Sequence, residues 1–176
     1  HIEEIPYIVE ELGITSFKWY KNYKDVAPEK FGTDSAMHDD WADAFIQALA
    51  AQDAPTTLGH HSENMEITSA LGENPYLDSA VDDDQEYRGY DVLVDQFPDY
   101  AEAQSMTASG SLARQHDYDD SFYAVHVSAG RTADELAMLH DAGWEITGET
   151  CTHYLCLTTE ECDERHNVNP PVRSKA

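Results

Sequence analysis

Positive charge is what this sequence has least of. Five lysines and five arginines stand against 35 aspartates and glutamates, a formal net charge of −25 over 176 residues. A surface of that sign repels nucleic-acid phosphates and anionic lipid headgroups, which argues against nucleic acid and membrane as partners. No run of about 18 apolar residues is present, so no segment reads as a membrane span. Nor does a basic stretch lead into an apolar one near the start, so no secretory signal is expected. Cysteine is scarce as well. Cys151, Cys156 and Cys162 are odd in number and fit no common zinc spacing, so reduced thiols in a cytoplasmic protein are expected.

What is present reads as one globular domain. The apolar fraction of 41%, with 10% aromatics, suffices for a core at this length. The acid is spread along the chain rather than gathered in a tail, which argues against a disordered acidic segment. Dispersed carboxylates with scarce lysine predict a salt-loving protein, in which concentrated salt screens the mutual repulsion. An ordinary acidic protein is the plainer alternative. The opening "HIEEIPYIVEELG" has mid-helix character without an initiating Met, and the closing "NVNPPVRSKA" reads as loop. Both ends are expected to be cuts in a longer chain.

The pattern alternates strands with helices. Ile2, Ile5, Val9 and Leu12 fall at helical spacing ahead of Gly13. "ITSFKWY" (14–20) is strand-like, and a polar loop with Pro28 and Gly32 follows. Residues 37–53 predict a helix with Trp41, Phe45 and Leu49 on one face. "TTLGHHS" (56–62) predicts a second strand, and "ENMEITSAL" a short helix. The acidic stretch 72–91 predicts a surface excursion, and 98–117 a helix opened by Pro98 and Asp99. "SFYAVHVS" (121–128) is the clearest strand. A helix over 131–143 follows, with Asp134 and Glu135 in its first turn and Gly143 as its stop. "WEITGETC" (144–151) predicts a fourth strand, and the remainder reads mainly as loop. Such alternation predicts an α/β architecture with parallel strands.

Three of these strands end in a metal-capable group: Lys18, His61 and His126. A lysine at the tip of a buried strand costs several kcal/mol, on the order expected for an unpaired charge, unless it is paired, neutralised or chemically changed. In parallel α/β architecture the strand C-termini share one edge, so the three groups are expected to converge. Each alone has a plain structural reading: an ion-paired lysine, or a hydrogen-bonded histidine of the kind that His60 beside His61 illustrates. His38, His116, His140 and His166 are expected to be solvated. Glu63 and Asn64 read either as support for His61 or as a helix start.

"GITSFK…Y", "HHSEN", "YAVHVSAG", "GETCTHYL" and "NPPVRSK", in that order, resemble the cyclic amidohydrolases: the hydantoinases, dihydropyrimidinases, allantoinases and dihydroorotases. The resemblance implies a fragment, about strands 4–7, of a metal-dependent (β/α)8 TIM barrel, with residues 1–176 forming a partial barrel domain. The family's strand-1 His-x-His and strand-8 aspartate would lie outside it. By motif, Lys18 matches the carboxylated lysine, and His61 and His126 match the two single histidine ligands. The implied cofactors are two divalent ions, zinc above all, with Lys18 carboxylated by CO2. The implied reaction is opening of a small cyclic amide or ureide by metal-activated hydroxide.

Tyr23 matches the family tyrosine that binds substrate and oxyanion, and Asn169 sits where relatives contact the substrate ring. Plain readings for these two are a surface aromatic and the opening of a Pro-Pro turn. Thr152 stands where relatives often carry proline, so His153 is not assigned as a ligand. Tyr23 favours the hydantoinase and dihydropyrimidinase branch, whereas "NPPVRSK" looks nearer to allantoinase and dihydroorotase. A non-catalytic scaffold of the same family and a generic acidic binding domain are the competing readings. Relatives imply a homo-oligomer, commonly a tetramer, for the full-length protein. With three of six ligands, the chain alone is expected to be inactive.

Overall fold

Alternation along the strands decides which way the sheet faces. In β1 (Ser16–Tyr20), Trp19 is fully buried while its neighbour Lys18, pointing to the other face, is exposed. The computed structural model describes residues 2–21, 38–64, 66–68 and 98–156, with the His153 side chain excepted. Within them β1 is followed by β2 (Thr57–His61), β3 (Ser121–Ala124) and β4 (Ile146–Gly148). All pair in parallel, in the order β1-β2-β3-β4. Each strand is thus added to the same side of its predecessor. A doubly wound sheet reverses at a switch point; an unreversed order is how a (β/α) barrel is laid down.

The register sorts the strand residues into two faces. Phe17, Leu58, Phe122 and Ile146 form one row, and Trp19, His60 and Ala124 form the next on the same side. Helices cover this face: α2 (Asp39–Ala50), α3 (Asp99–Gln115) and α4 (Gly130–Asp141). From α2, Phe45 meets Phe17 edge-on at 5.9 Å between ring centroids. From α3, the Ser109 hydroxyl reaches His60 Nε2 at 3.3 Å, and Gly110 leaves room for Trp144. From α4, Leu136 lies against Gly148. The shorter α1 (Ile5–Glu10) supplies buried Ile5 and Val9 to the same core. Lys18, Gly59 and Tyr123 form the opposite row, with Tyr20 and His61 one step beyond toward the C-terminal rim.

Several expectations need correction. The buried stripe of α2 is Ala42, Ile46 and Leu49, and Trp41 is 54% exposed. Trp41 lies 100° round the helix from Ala42, so docking on the Ala42, Ile46 and Leu49 stripe turns Trp41 to solvent and leaves Phe45 on the flank. Leu12 is likewise exposed, because α1 ends at Glu10 and Gly13 turns the chain at φ +65°. β3 and β4 are shorter than their apolar runs. The chain leaves the β3 ladder after Ala124 and takes a left-handed φ of +42° at His126. Ahead of β4, the Trp144 amide donates to Leu139 O at the end of α4. A short helix, α5 (Thr152–Cys156), forms where loop was expected. His116 is not solvated but meets Asp43 at 2.7 Å. The acidic excursion over 72–91 lies outside the described residues.

Candidate metal centre

The strand C-termini bring His61 and His126 together. His61 closes β2, and its side chain leaves the sheet on the face away from the helices. His126 stands two residues beyond β3, where its left-handed backbone turns the ring back toward His61. The two rings meet edge-to-face, 4.2 Å between centroids, with His126 Nε2 2.7 Å from His61 Nδ1. Glu63 lies 3.4 Å from the other nitrogen of His61, Nε2. When Nε2–H donates to that carboxylate, neutral His61 keeps its Nδ1 lone pair facing His126. A carboxylate behind an imidazole is the usual arrangement for a metal-binding histidine.

Electrostatics favour the neutral form of His126. Burial pushes His126 below its ordinary range; the neighbouring His61 and the Lys18 ammonium push the same way. A backbone hydrogen bond and the Glu149 carboxylate oppose them. Neutral imidazole is the form that binds a metal ion.

Lys18 shares this face but not the strand end. It is the third of five residues in β1, and in this segment, about a third of the relatives' length, its side chain is exposed. The reason is geometric: the helices lie on the other side of the sheet. Its Nζ lies over the Tyr20 ring, 4.9 Å from the centroid, and the Tyr20 ring lies 5.5 Å from that of His61. Lys18, Tyr20, His61 and His126 therefore form one continuous line along the rim. Tyr20 was not singled out from sequence, although its place two residues after Lys18 puts it on the same face. Tyr23 and Asn169 lie outside the described residues.

The donor chemistry suits a divalent ion. Two nitrogens each about 2.0–2.1 Å from a shared tetrahedral zinc would stand about 3.3 Å apart, so the rings, now in direct hydrogen bond at 2.7 Å, need open by only about 0.6 Å to admit the ion. Among the described residues no group of three His, Cys, Asp or Glu side chains comes together to hold a metal. Cys151 and Cys156 are free thiols, and His60 belongs to the core. It is wholly buried between Trp19 and Phe122, and burial drives its pKa well below the ordinary value. Asn64 serves the turn after β2: its Oδ1 accepts from the Glu66 and Ile67 amides, as a helix cap does.

The loop carrying His126 is tied on all sides. The Val125 amide donates to His60 O, and the Val127 amide to Glu149 O. The Thr150 hydroxyl donates to Val127 O at 2.7 Å. On the helix side, the Ser128 hydroxyl donates to Glu102 at 2.6 Å, and the Ser128 amide donates to the same carboxylate.

Comparison with known proteins fits this arrangement. No protein-family model matches the chain. It is 28% identical to a D-hydantoinase of Geobacillus stearothermophilus over 181 residues, which takes in 99% of this chain and 34% of that protein. It is 34% identical to an allantoinase of Rubrobacter xylanophilus over 173 residues, 95% of this chain and 35% of that protein. The chain belongs to the cyclic amidohydrolases. It spans about a third of the length of the curated relatives it matches. The D-hydantoinase structure from Bacillus sp. AR9 superposes with a TM-score of 0.75 at 22% identity, covering 99% of this chain and 35% of that one. That likeness shows the fold: a parallel α/β portion of a hydantoinase TIM barrel. Among the described residues of this amidohydrolase segment, no helix is long and apolar enough to cross a membrane.

Proposed function

We propose that the protein containing this segment is a metal-dependent hydrolase that opens a cyclic amide or ureide at a C–N bond, with hydantoinase-like specificity. Lys18, His61 and His126 hold the divalent ions, two in number and of the zinc class. The observation that carries this reading is the 2.7 Å approach of His61 Nδ1 and His126 Nε2, on the face that also bears Lys18. Bound divalent ions supply Lewis acidity, polarising an amide carbonyl and lowering the pKa of water. His61 and His126 offer neutral nitrogens, and Glu63 orients His61 by accepting a hydrogen bond from its Nε2–H. Once deprotonated, the Lys18 amine attacks the carbon of CO2, one C=O π bond becomes an oxyanion, and the displaced proton passes to solvent. The product is an anionic oxygen donor on an otherwise cationic side chain. Tyr23 donates a hydrogen bond to the substrate oxyanion, and Asn169 holds the ring through its backbone. Segments beyond this one, in the strand 1 and strand 8 positions of the barrel, supply the remaining ligands.

A second reading keeps the chemistry and the ring and changes the substituent. The 34% identity to an allantoinase favours allantoin, a hydantoin that carries a ureido group, over a hydantoin without one. Both are separated by one experiment on the full-length protein, in molar KCl with bicarbonate present. Metal content is measured, and hydantoin, dihydrouracil, allantoin and dihydroorotate are each offered. Ring opening of one of them is expected, lost on chelation and lost in Lys18→Arg. A carbamate signal from 13C-bicarbonate is expected in the wild type alone. A protein that holds no metal and opens none of the four rings is not this enzyme.

A further inference from the structure

Glu102 touches neither histidine, yet its carboxylate is held by the loop that carries His126. Glu102 sits in the first turn of α3 and is buried, 7% exposed. A buried carboxylate is costly unless its oxygens are hydrogen-bonded. Here the partners come from one place. Ser128 donates its hydroxyl at 2.6 Å and its amide at 3.1 and 3.3 Å to the two oxygens, and the Ala129 amide stands at 3.5 Å. Glu102 thus does for residues 128–129 what a neighbouring strand does for a ladder, in a segment that has left its own.

The same segment begins at His126, whose φ of +42° is unfavourable for a residue with a Cβ. Such a conformation persists only when its surroundings over-determine it. Val125 and Val127 are tied by backbone bonds to β2 and to the chain after β4. Those bonds leave the helix side of the loop to Glu102.

We propose that Glu102 is a positioning residue for His126: by gripping Ser128 and Ala129 it holds the left-handed turn that aims the imidazole at His61. This rests on the reading of His126 as a metal ligand. Glu102 touches neither ring; it acts through the backbone.

The test uses the full-length protein loaded with Co(II), whose visible spectrum and affinity report the ligand geometry. In parallel, amide exchange is followed at residues 121–130. Glu102→Gln keeps the volume and removes the charge. It is expected to lower Co(II) affinity 10–100-fold, the usual effect of disturbing a partner behind a ligand, and to speed exchange at Ser128 and Ala129. Ser128→Ala, which leaves Glu102 in place, is expected to fall between Glu102→Gln and wild type, and decides the matter should Glu102→Gln not fold. Asp120→Asn, at the opposite rim, controls for general destabilisation and is expected to leave Co(II) affinity unchanged. Wild-type affinity in both Glu102→Gln and Ser128→Ala, or an equal loss in Asp120→Asn, overturns the proposal. Should the wild type take up no Co(II), the ligand reading fails instead. The grip on the loop is then decided by exchange alone: unchanged protection at Ser128 in Glu102→Gln rejects it.

Discussion

Tyr118 shows how one residue reports on the rim opposite the candidate metal centre. Its hydroxyl lies 3.0 Å from Thr56 Oγ1, and the Thr56 amide and hydroxyl both reach Asp120 Oδ2. Burial raises the Tyr118 pKa to about 12; the Thr56 hydrogen bond works against the rise and the Asp120 charge adds to it. The neutral phenol is therefore favoured in the fold. Its contribution to stability is complete below pH 10, where the unfolded tyrosine starts to ionise, and is lost as pH climbs toward 12. Urea midpoints measured from pH 9 to 12 should fall in the wild type. In Tyr118→Phe that fall should be shallower, from a lower starting value. At this scale the meeting of His61 and His126 was legible in the sequence. His61 and His126 stood out because imidazoles at strand ends are chemically conspicuous. Glu102 did not, because its partners are a hydroxyl and main-chain amides 26 and 27 residues away, which leave no mark in local sequence.

Between elements, the closest approach is that of α3 to Trp144. A Cβ built on Gly110 would lie 2.7 Å from Trp144 Cζ3, inside any real contact distance. Two effects compete in Gly110→Ala. Helix propensity favours alanine by about 1 kcal/mol. Overpacking against a rigid indole, which is also stacked under Arg114, costs about 1–3 kcal/mol. The clash should win, and denaturant unfolding should show a net loss of stability. Order and type of the long elements were legible, since their periodicities are strong. Ends were not. The apolar run over 121–128 reads as one strand, yet the ladder stops at Ala124, because a left-handed residue cannot stay in register. Nor did spacing alone reveal that Ala42, not Trp41, faces the sheet: both lie on helical stripes, and only docking against Phe17 chooses between them.

For the whole molecule, a net charge of −25 is the dominant long-range force. Screening shortens its reach from about 10 Å at 0.1 M salt to about 3 Å at 1 M. The thermal midpoint of the full-length protein should therefore climb between 0.1 and 2 M KCl; a flat response would assign the acidity to something other than salt adaptation. Barrel-type winding was implied by motif order and appears in the unreversed strand order. The left-handed backbone at His126 carries an evolutionary consequence. Glycine or asparagine would sit there more comfortably than imidazole. Under the ligand role proposed for His126, selection for metal binding is what holds a histidine in that conformation. In a lineage that abandoned turnover, drift at this codon toward Gly or Asn would be an early molecular trace of the loss.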